Sequence, residues 1–189
     1  MQLGRLAELL ADIDRTAYWK GATDEFDHDA LVTMGDGNRW NDPGEPTLYL
    51  TGDPGLALIE AGRHEPAGPP AQPSSGTIWA LRVSAPDMLD LRRLDVREAL
   101  GLDGPHWFLD RPTCQRLVRS LRQSGACSGI VTQSAGVPDI PERWNLVIFA
   151  DRLDRPVDQV VSQPKRIGSF QLGAVDAIEA STVETSLRR

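Results

Sequence analysis

The sequence predicts a single α+β domain built around a central mixed or split β-sheet. Short apolar runs of strand length are interleaved with a few amphipathic helical stretches, the pattern of a sheet covered by segregated helices. The 189 residues suffice for one domain with its own core. A hydrophobic share of 40% against 25% charged residues is the balance of a soluble globular chain. No internal repeat is visible. The expected division is an N-terminal helical segment over 1–30, the main domain over 30–172, and a flexible tail over 173–189.

Taken in order, Leu3, Leu6, Leu10 and Ile13 recur at helical spacing and predict an opening amphipathic helix. Residues 20–47, rich in Gly, Asp, Asn and Pro, read as loop. A strand is expected over 47–51, where Leu48 and Leu50 alternate with Tyr49. Asp53 is placed to cap a helix with Pro54 at its first position, running to about His64. The stretch 65–76 carries four prolines and two glycines and reads as a long loop, a candidate lid or partner-contact segment.

A strand is expected over 77–84 and a short helix over 95–100. A longer helix over 112–123 has Leu117, Val118 and Leu121 on one face and Gly125 near its end. Strands follow over 129–132 and 144–149, with edge strands over 157–161 and 167–172.

The net charge of −7 argues against direct nucleic-acid binding, which needs a basic surface. It does not exclude an anionic dinucleotide, which a local Arg or backbone amides can hold. Cys114 and Cys127 have no metal-ligand spacing and read as reduced, partly buried thiols, so no metal is expected. No apolar run approaches membrane-spanning length, and Glu8, Asp12 and Asp14 interrupt any signal-peptide core. No membrane association and a cytoplasmic location are the expectations.

Three polar residues stand out. Glu60 lies on the helix after Pro54, on the face of Leu56, Ala57 and His64. It reads either as a solvated carboxylate pairing with Arg63 or His64, or as a carboxylate directed into a cleft, where it could stabilise an oxocarbenium-like cation or anchor a ribose hydroxyl.

Arg39 sits in a Gly/Asn/Pro-rich turn. It reads as an exposed surface Arg or as a guanidinium that grips phosphate oxygens bidentately. Trp40 beside it reads as a packing residue. Ser134 ends a strand without a Gly-x-Ser-x-Gly elbow, so it is a positioning hydroxyl rather than a nucleophile. Tyr49 is either a core tyrosine or a ring that stacks on a ligand.

In order along the chain, these residues resemble the RES domain family, the toxins of Xre–RES toxin–antitoxin pairs. The resemblance rests on four segments. The first is Asn38-Arg39-Trp40-Asn41-Asp42-Pro43-Gly44, against a family pattern like Gly-Arg-Trp-Asn-Pro-Pro-Gly. The second is Leu48-Tyr49-Leu50-Thr51-Gly52-Asp53-Pro54, leading into Ala57-Leu58-Ile59-Glu60. The third runs from Gly125 through Gly129-Ile130 to Ser134, and the fourth is Trp144-Asn145-Leu146. Asn38 stands where a Gly is usual and Asp42 where a Pro is.

The resemblance covers about residues 30–150 and implies an ADP-ribosyltransferase-like fold. It also implies an enzyme that degrades NAD⁺ at the nicotinamide–ribose bond, by hydrolysis or phosphorolysis. Arg39, Glu60 and Ser134 would be catalytic, and Arg39, Tyr49, Ser134 and Asn145 would bind substrate. No cofactor is implied, NAD⁺ being the substrate and inorganic phosphate an optional co-substrate. The partner would be an Xre-type antitoxin in a hetero-oligomer. Two other classes remain: an ADP-ribosyltransferase acting on a macromolecule, and a non-catalytic interaction domain of the same fold.

Overall fold

The computed structural model of the protein describes residues 6–35, 37–63 and 74–172. Seven strands form one sheet: β1 (Leu10–Gly21), β2 (Val32–Thr33), β3 (Thr47–Thr51), β4 (Ser74–Asp90), β5 (Gly129–Gln133), β6 (Trp144–Phe149) and β7 (Val161–Leu172). Among the described residues, four complete helices accompany them: α1 (Pro54–Arg63), α2 (Leu94–Leu100), α3 (Arg111–Ser124) and the single turn α4 (Val157–Val160).

The sheet order is β1-β3-β6-β5-β4, and β4 pairs back onto β1, so five strands close into a barrel-like sheet. Strand β2 attaches to β3, and β7 to β4, outside the ring. The β4–β5 pair is parallel and every other pair is antiparallel, which makes the sheet mixed. A parallel pair needs a long crossover, and α2 and α3 supply it.

Closure gives each central strand two buried faces. Leu48 and Leu50 of β3, Val131 of β5, Leu146 and Ile148 of β6, and Leu81, Val83 and Ala85 of β4 fill the ring with Ile13 and Ala17 of β1. On the outer face, Ile130, Val147 and Phe149 pack with Cys114, Leu117, Val118 and Leu121 of α3. Both faces being covered explains near-continuous apolar runs such as Leu146-Val147-Ile148-Phe149.

The expectations for β3, α1, α3 and β6 hold. Asp53 Oδ1 accepts from the Leu56 amide at 2.8 Å at the start of α1. Asp110 caps α3, accepting from Thr113 N at 3.3 Å, and Gly125 ends it with φ 63°.

The expected opening helix does not reach Leu10 and Ile13. Leu6 is helical, Ala7–Leu9 make a 3-10 turn, and from Leu10 the chain is β1, an integral strand of the barrel; Leu3 lies outside the described residues. The helical spacing misled because a bulge between Ala11 and Ile13 brings Leu10 and Ile13 into contact with the two cores three residues apart. Beyond it the buried positions are Ile13, Ala17 and Gly21, with the half-buried Arg15 and Trp19 between them, a strand period of two.

Two smaller expectations change. The strand expected at 77–84 spans Ser74–Asp90, taking in the last residues of the expected loop, whose residues 65–73 lie outside those described. Residues 157–160 form α4 rather than an edge strand: after Pro156, a turn lets Val157 and Val160 both reach the barrel core. The tail over 173–189 also lies outside the described residues.

Helix α3 is held by a buried cation. Arg122, 3% exposed, donates to Thr47 Oγ1 at 2.6 Å and to Asp151, lies 3.3 Å from Glu45 Oε2, and sits over the Phe149 ring at 4.3 Å. Arg122→Leu removes the charge that four groups are arranged around, and is expected to cost about 3 kcal/mol. Chemical denaturation measures it; a loss below about 0.5 kcal/mol, the range of ordinary surface changes, would contradict this account.

Candidate active site

Because Leu48 and Leu50 point into the barrel, Tyr49 and Thr51 point out, and the same alternation turns Asn145 outward on β6. Tyr18 of β1 pairs with Thr51, Thr51 with Asn145, and Asn145 with Thr132 of β5, so these four residues form one row across the sheet. Tyr18, Thr51 and Asn145 of this row line a cleft of about 620 Å³, within the range of small-molecule sites. Helix α1 contributes Ala57, Glu60 and Ala61, the turn before β3 contributes Asn38, Arg39 and Trp40, and the start of α3 contributes Arg111.

Leu56, Ala57 and Ala61 bury one side of α1, and Glu60 stands at its margin. Its Oε1 accepts from Ser134 Oγ at 2.6 Å and from Asn145 Nδ2 at 3.2 Å. Ser134 is fully buried, and its oxygen in turn accepts from the Gly136 amide at 3.0 Å. Ser134 donates to the carboxylate from behind the cleft wall, where its own oxygen is out of reach of the cleft. Gly136 leaves room for this arrangement, since a Cβ there would lie 3.0 Å from both Glu60 Oε1 and Ser134 Oγ. Of the expected helix pairings of Glu60, His64 and the side chain of Arg63 lie outside the described residues.

Arg39 borders the cleft, and its Nη1 donates to the Phe108 and Leu109 carbonyls at 2.9 and 2.8 Å. Trp40 is buried against Trp107, ring centroids 6.0 Å apart, and pins the turn by packing. Tyr49 lines the cleft and donates its hydroxyl to Asn41 Oδ1 at 2.7 Å. Burial pushes its phenol above the ordinary range, so the hydroxyl keeps its proton and remains a donor.

The cleft therefore brings together Arg39, Tyr49, Glu60 and Asn145, with Ser134 one layer behind. Sequence reasoning missed Lys20 and Arg111, which also line it. Three cations against one carboxylate make the cleft locally positive inside a chain of net charge −7. Lys20 carried no signal, lying at the edge of what read as loop. Arg111 did carry one: it is a cation in the first turn of a helix that has no acidic residue there, where the helix dipole favours the opposite sign.

Among the described residues, no group of three His, Cys, Asp or Glu could hold a metal ion. No helix among them is long and apolar enough to cross a membrane.

A family model for the RES domain matches residues 9–172. The chain belongs to the RES domain family. Among solved structures, it is similar to a chain of the M. tuberculosis MbcT–MbcA toxin–antitoxin complex, with 20% identity and a TM-score of 0.59 over 90% of this chain and 91% of that one. This likeness is one of fold. No curated protein matches the chain.

Both cysteines are free and buried, Cys114 beneath Arg39. Burial pushes the Cys114 thiol up to about 11 and the Cys127 thiol up to about 12. In the folded state neither is a thiolate near neutral pH, so both should resist a thiol reagent at about pH 8 and react after denaturation. The unfolded thiols ionise first, so their contribution to stability is full below pH 9.0 and is lost as pH rises through about 11 and 12. Rapid native-state labelling of either thiol would contradict the burial.

Proposed function

We propose that this protein is the toxin of a toxin–antitoxin pair and that it degrades NAD⁺ by breaking the nicotinamide–ribose bond. The observation that carries the reading is the fixed Glu60 carboxylate, held by Ser134 and Asn145 in a cleft that also presents Arg39. In this reaction the C–N glycosidic bond breaks and its electron pair leaves with nicotinamide, which departs as a neutral base. The ribosyl cation left behind is captured at its anomeric carbon by water, with loss of a proton, or by phosphate. No strong general acid is needed for a leaving group that is cationic at the outset.

Glu60 stabilises the positive charge on the ribosyl ring, where a preoriented anion lowers the barrier. Arg39, with Lys20 and Arg111 around the cleft, meets the pyrophosphate. Tyr49 flanks the nicotinamide, and Asn145 and Ser134 hold the reacting end, Ser134 through Glu60. We read the barrel-like sheet as a relative of the ADP-ribosyltransferase fold, with a small acceptor in place of a macromolecule. Membership in the RES family and the fold likeness to a chain of a toxin–antitoxin complex support the biological role. The partner would be an Xre-type antitoxin that plugs the cleft in a cytoplasmic hetero-oligomer. A plug facing Arg39, Arg111 and Lys20 should carry a carboxylate at its tip.

The direct test is purified protein with NAD⁺, with and without phosphate and a protein acceptor, read by mass spectrometry. Free ADP-ribose indicates hydrolysis, a phosphorylated ADP-ribose indicates phosphorolysis, and labelled protein indicates the transferase. Glu60→Gln keeps an acceptor for Ser134 but removes the charge, and should slow NAD⁺ loss about 10²–10³-fold without unfolding the protein. A fully active Glu60→Gln enzyme would refute the role. Expressed alone in bacteria, the wild-type chain should arrest growth and deplete NAD⁺; normal growth at good soluble expression would overturn the toxin assignment.

A further inference from the structure

Asn41 lies next to Arg39 and Trp40, is 1% exposed, and uses both ends of its amide. Its Oδ1 accepts from the Asn38 amide at 3.1 Å and from the Tyr49 hydroxyl at 2.7 Å, and its Nδ2 donates to the Asp42 carbonyl at 2.9 Å. The Asn41 carbonyl accepts from the same Asn38 amide at 3.1 Å, which closes a four-residue turn with Arg39 and Trp40 at its tip. Gly37 packs against this clasp at φ +85°, where a Cβ would lie 3.1 Å from the Asn41 carbonyl oxygen.

Three features converge on Arg39. The turn that carries it is closed by Asn41. Asn41 is tied to the floor of the barrel by the hydroxyl of Tyr49 on β3, which also meets the Trp40 backbone. On the other side, the Phe108 and Leu109 carbonyls take Nη1 of Arg39, so the guanidinium hangs between the floor and the lead-in to α3. Remove the Asn41 amide and the half-buried Tyr49 hydroxyl loses its acceptor, while the Asn38 amide keeps only the Asn41 carbonyl. Trp107 and α3 still hold the flanks of the turn, so losing the clasp loosens its tip, where more conformations let Arg39 turn away from the cleft.

We infer that Asn41 is the positioning residue of this cleft: it sets Arg39 through the turn, and the hydroxyl of Tyr49 is its anchor. The kinetic consequence rests on the NAD⁺ reading above, while the structural consequence does not. Arg39 would bind the phosphate end of the substrate, and Asn41 would act on that binding rather than on bond breaking.

The experiment uses Tyr49→Phe, which keeps the ring and removes only the hydroxyl, together with Asn41→Ala and the double variant. KM and kcat for NAD⁺ are measured, along with the rate of trypsin cleavage after Arg39 in the folded protein. Each single variant is expected to raise KM about tenfold, what one lost buried hydrogen bond is worth, with kcat changed less than about threefold. The double variant should cost less than the two single changes summed, because both break the Asn41–Tyr49 bond. Cleavage after Arg39 should quicken about fivefold or more in all three, as the turn opens locally.

A residue that merely supported the fold would lower the melting temperature and leave KM of the folded enzyme unchanged; that result, or additive effects on KM, overturns the inference. If wild-type protein leaves NAD⁺ intact, the proposed function fails, and the cleavage rates alone decide: rates equal to wild type overturn the clasp. If Asn41→Ala does not fold, Tyr49→Phe decides by the same two readouts.

Discussion

A buried guanidinium has to be answered wherever it lies, and Arg122 is answered from four directions. Thr47 Oγ1, the Pro46 carbonyl, Glu45 and Asp151 surround it, and the Phe149 ring covers its face. Those groups belong to the start of β3 and the end of β6, so α3 has one docking pose on the barrel: in any other the charge would sit unpaired away from water. The pose decides where the other end of α3 falls. Gln115 Nε2 donates to the Asn38 carbonyl at 3.0 Å, Arg119 pairs with Asp42 at 2.7 Å, and Arg111 donates to the Gly37 carbonyl at 3.3 Å. The turn carrying Arg39 is thus bolted along one helix, whose far end Arg122 holds in place.

The elements that could be read from the sequence carry local punctuation. Asp53-Pro54 starts α1, Asp110 and Gly125 bound α3, and the alternation Leu48-Tyr49-Leu50 marks β3. Closure of the ring has no such mark. It depends on β1 pairing with β4 across some sixty residues, Ala17 with Leu81 for example, and on a single contact of Tyr18 with Thr51. Strand β1 is also diluted by Asp12, Asp14, Arg15 and Lys20, which face outward or line the end of the ring, so it never reads as an apolar run. A sheet that is mixed was foreseeable; a sheet that closes was not.

The site shows the same division. Arg39, Glu60 and Ser134 could be singled out because each is a polar residue within an ordered run of motifs. What those motifs do not contain is the layer to which each side chain belongs. Ser134 sits behind the wall because it follows Gln133 at the end of β5, where the Gly136 amide turns back onto its oxygen. Tyr49 reaches Asn41 rather than open space because the strand alternation that faces it outward also brings it under the turn. Lys20 and Arg111 were invisible as a pair, since the barrel alone brings one strand end and one helix start to the same cleft.

The way Glu60 is held bears on what the cleft can do. Ser134 and Asn145 are neutral donors, a hydroxyl and an amide, and such donors fix Oε1 in space without cancelling its charge. The cationic side chains come from other elements, Lys20 on β1, Arg39 in the turn and Arg111 on α3, and Nη1 of Arg39 is drawn toward backbone carbonyls. A site built this way is electrically divided: one end suits anionic phosphates and the other a developing positive charge. A ligand that is anionic in its middle and cationic at one ring matches both ends at once, and a simple anion or a simple cation matches only half. On the proposed NAD⁺ reading, that asymmetry, rather than the count of charges, is what would suit a cleft in so acidic a chain to a dinucleotide.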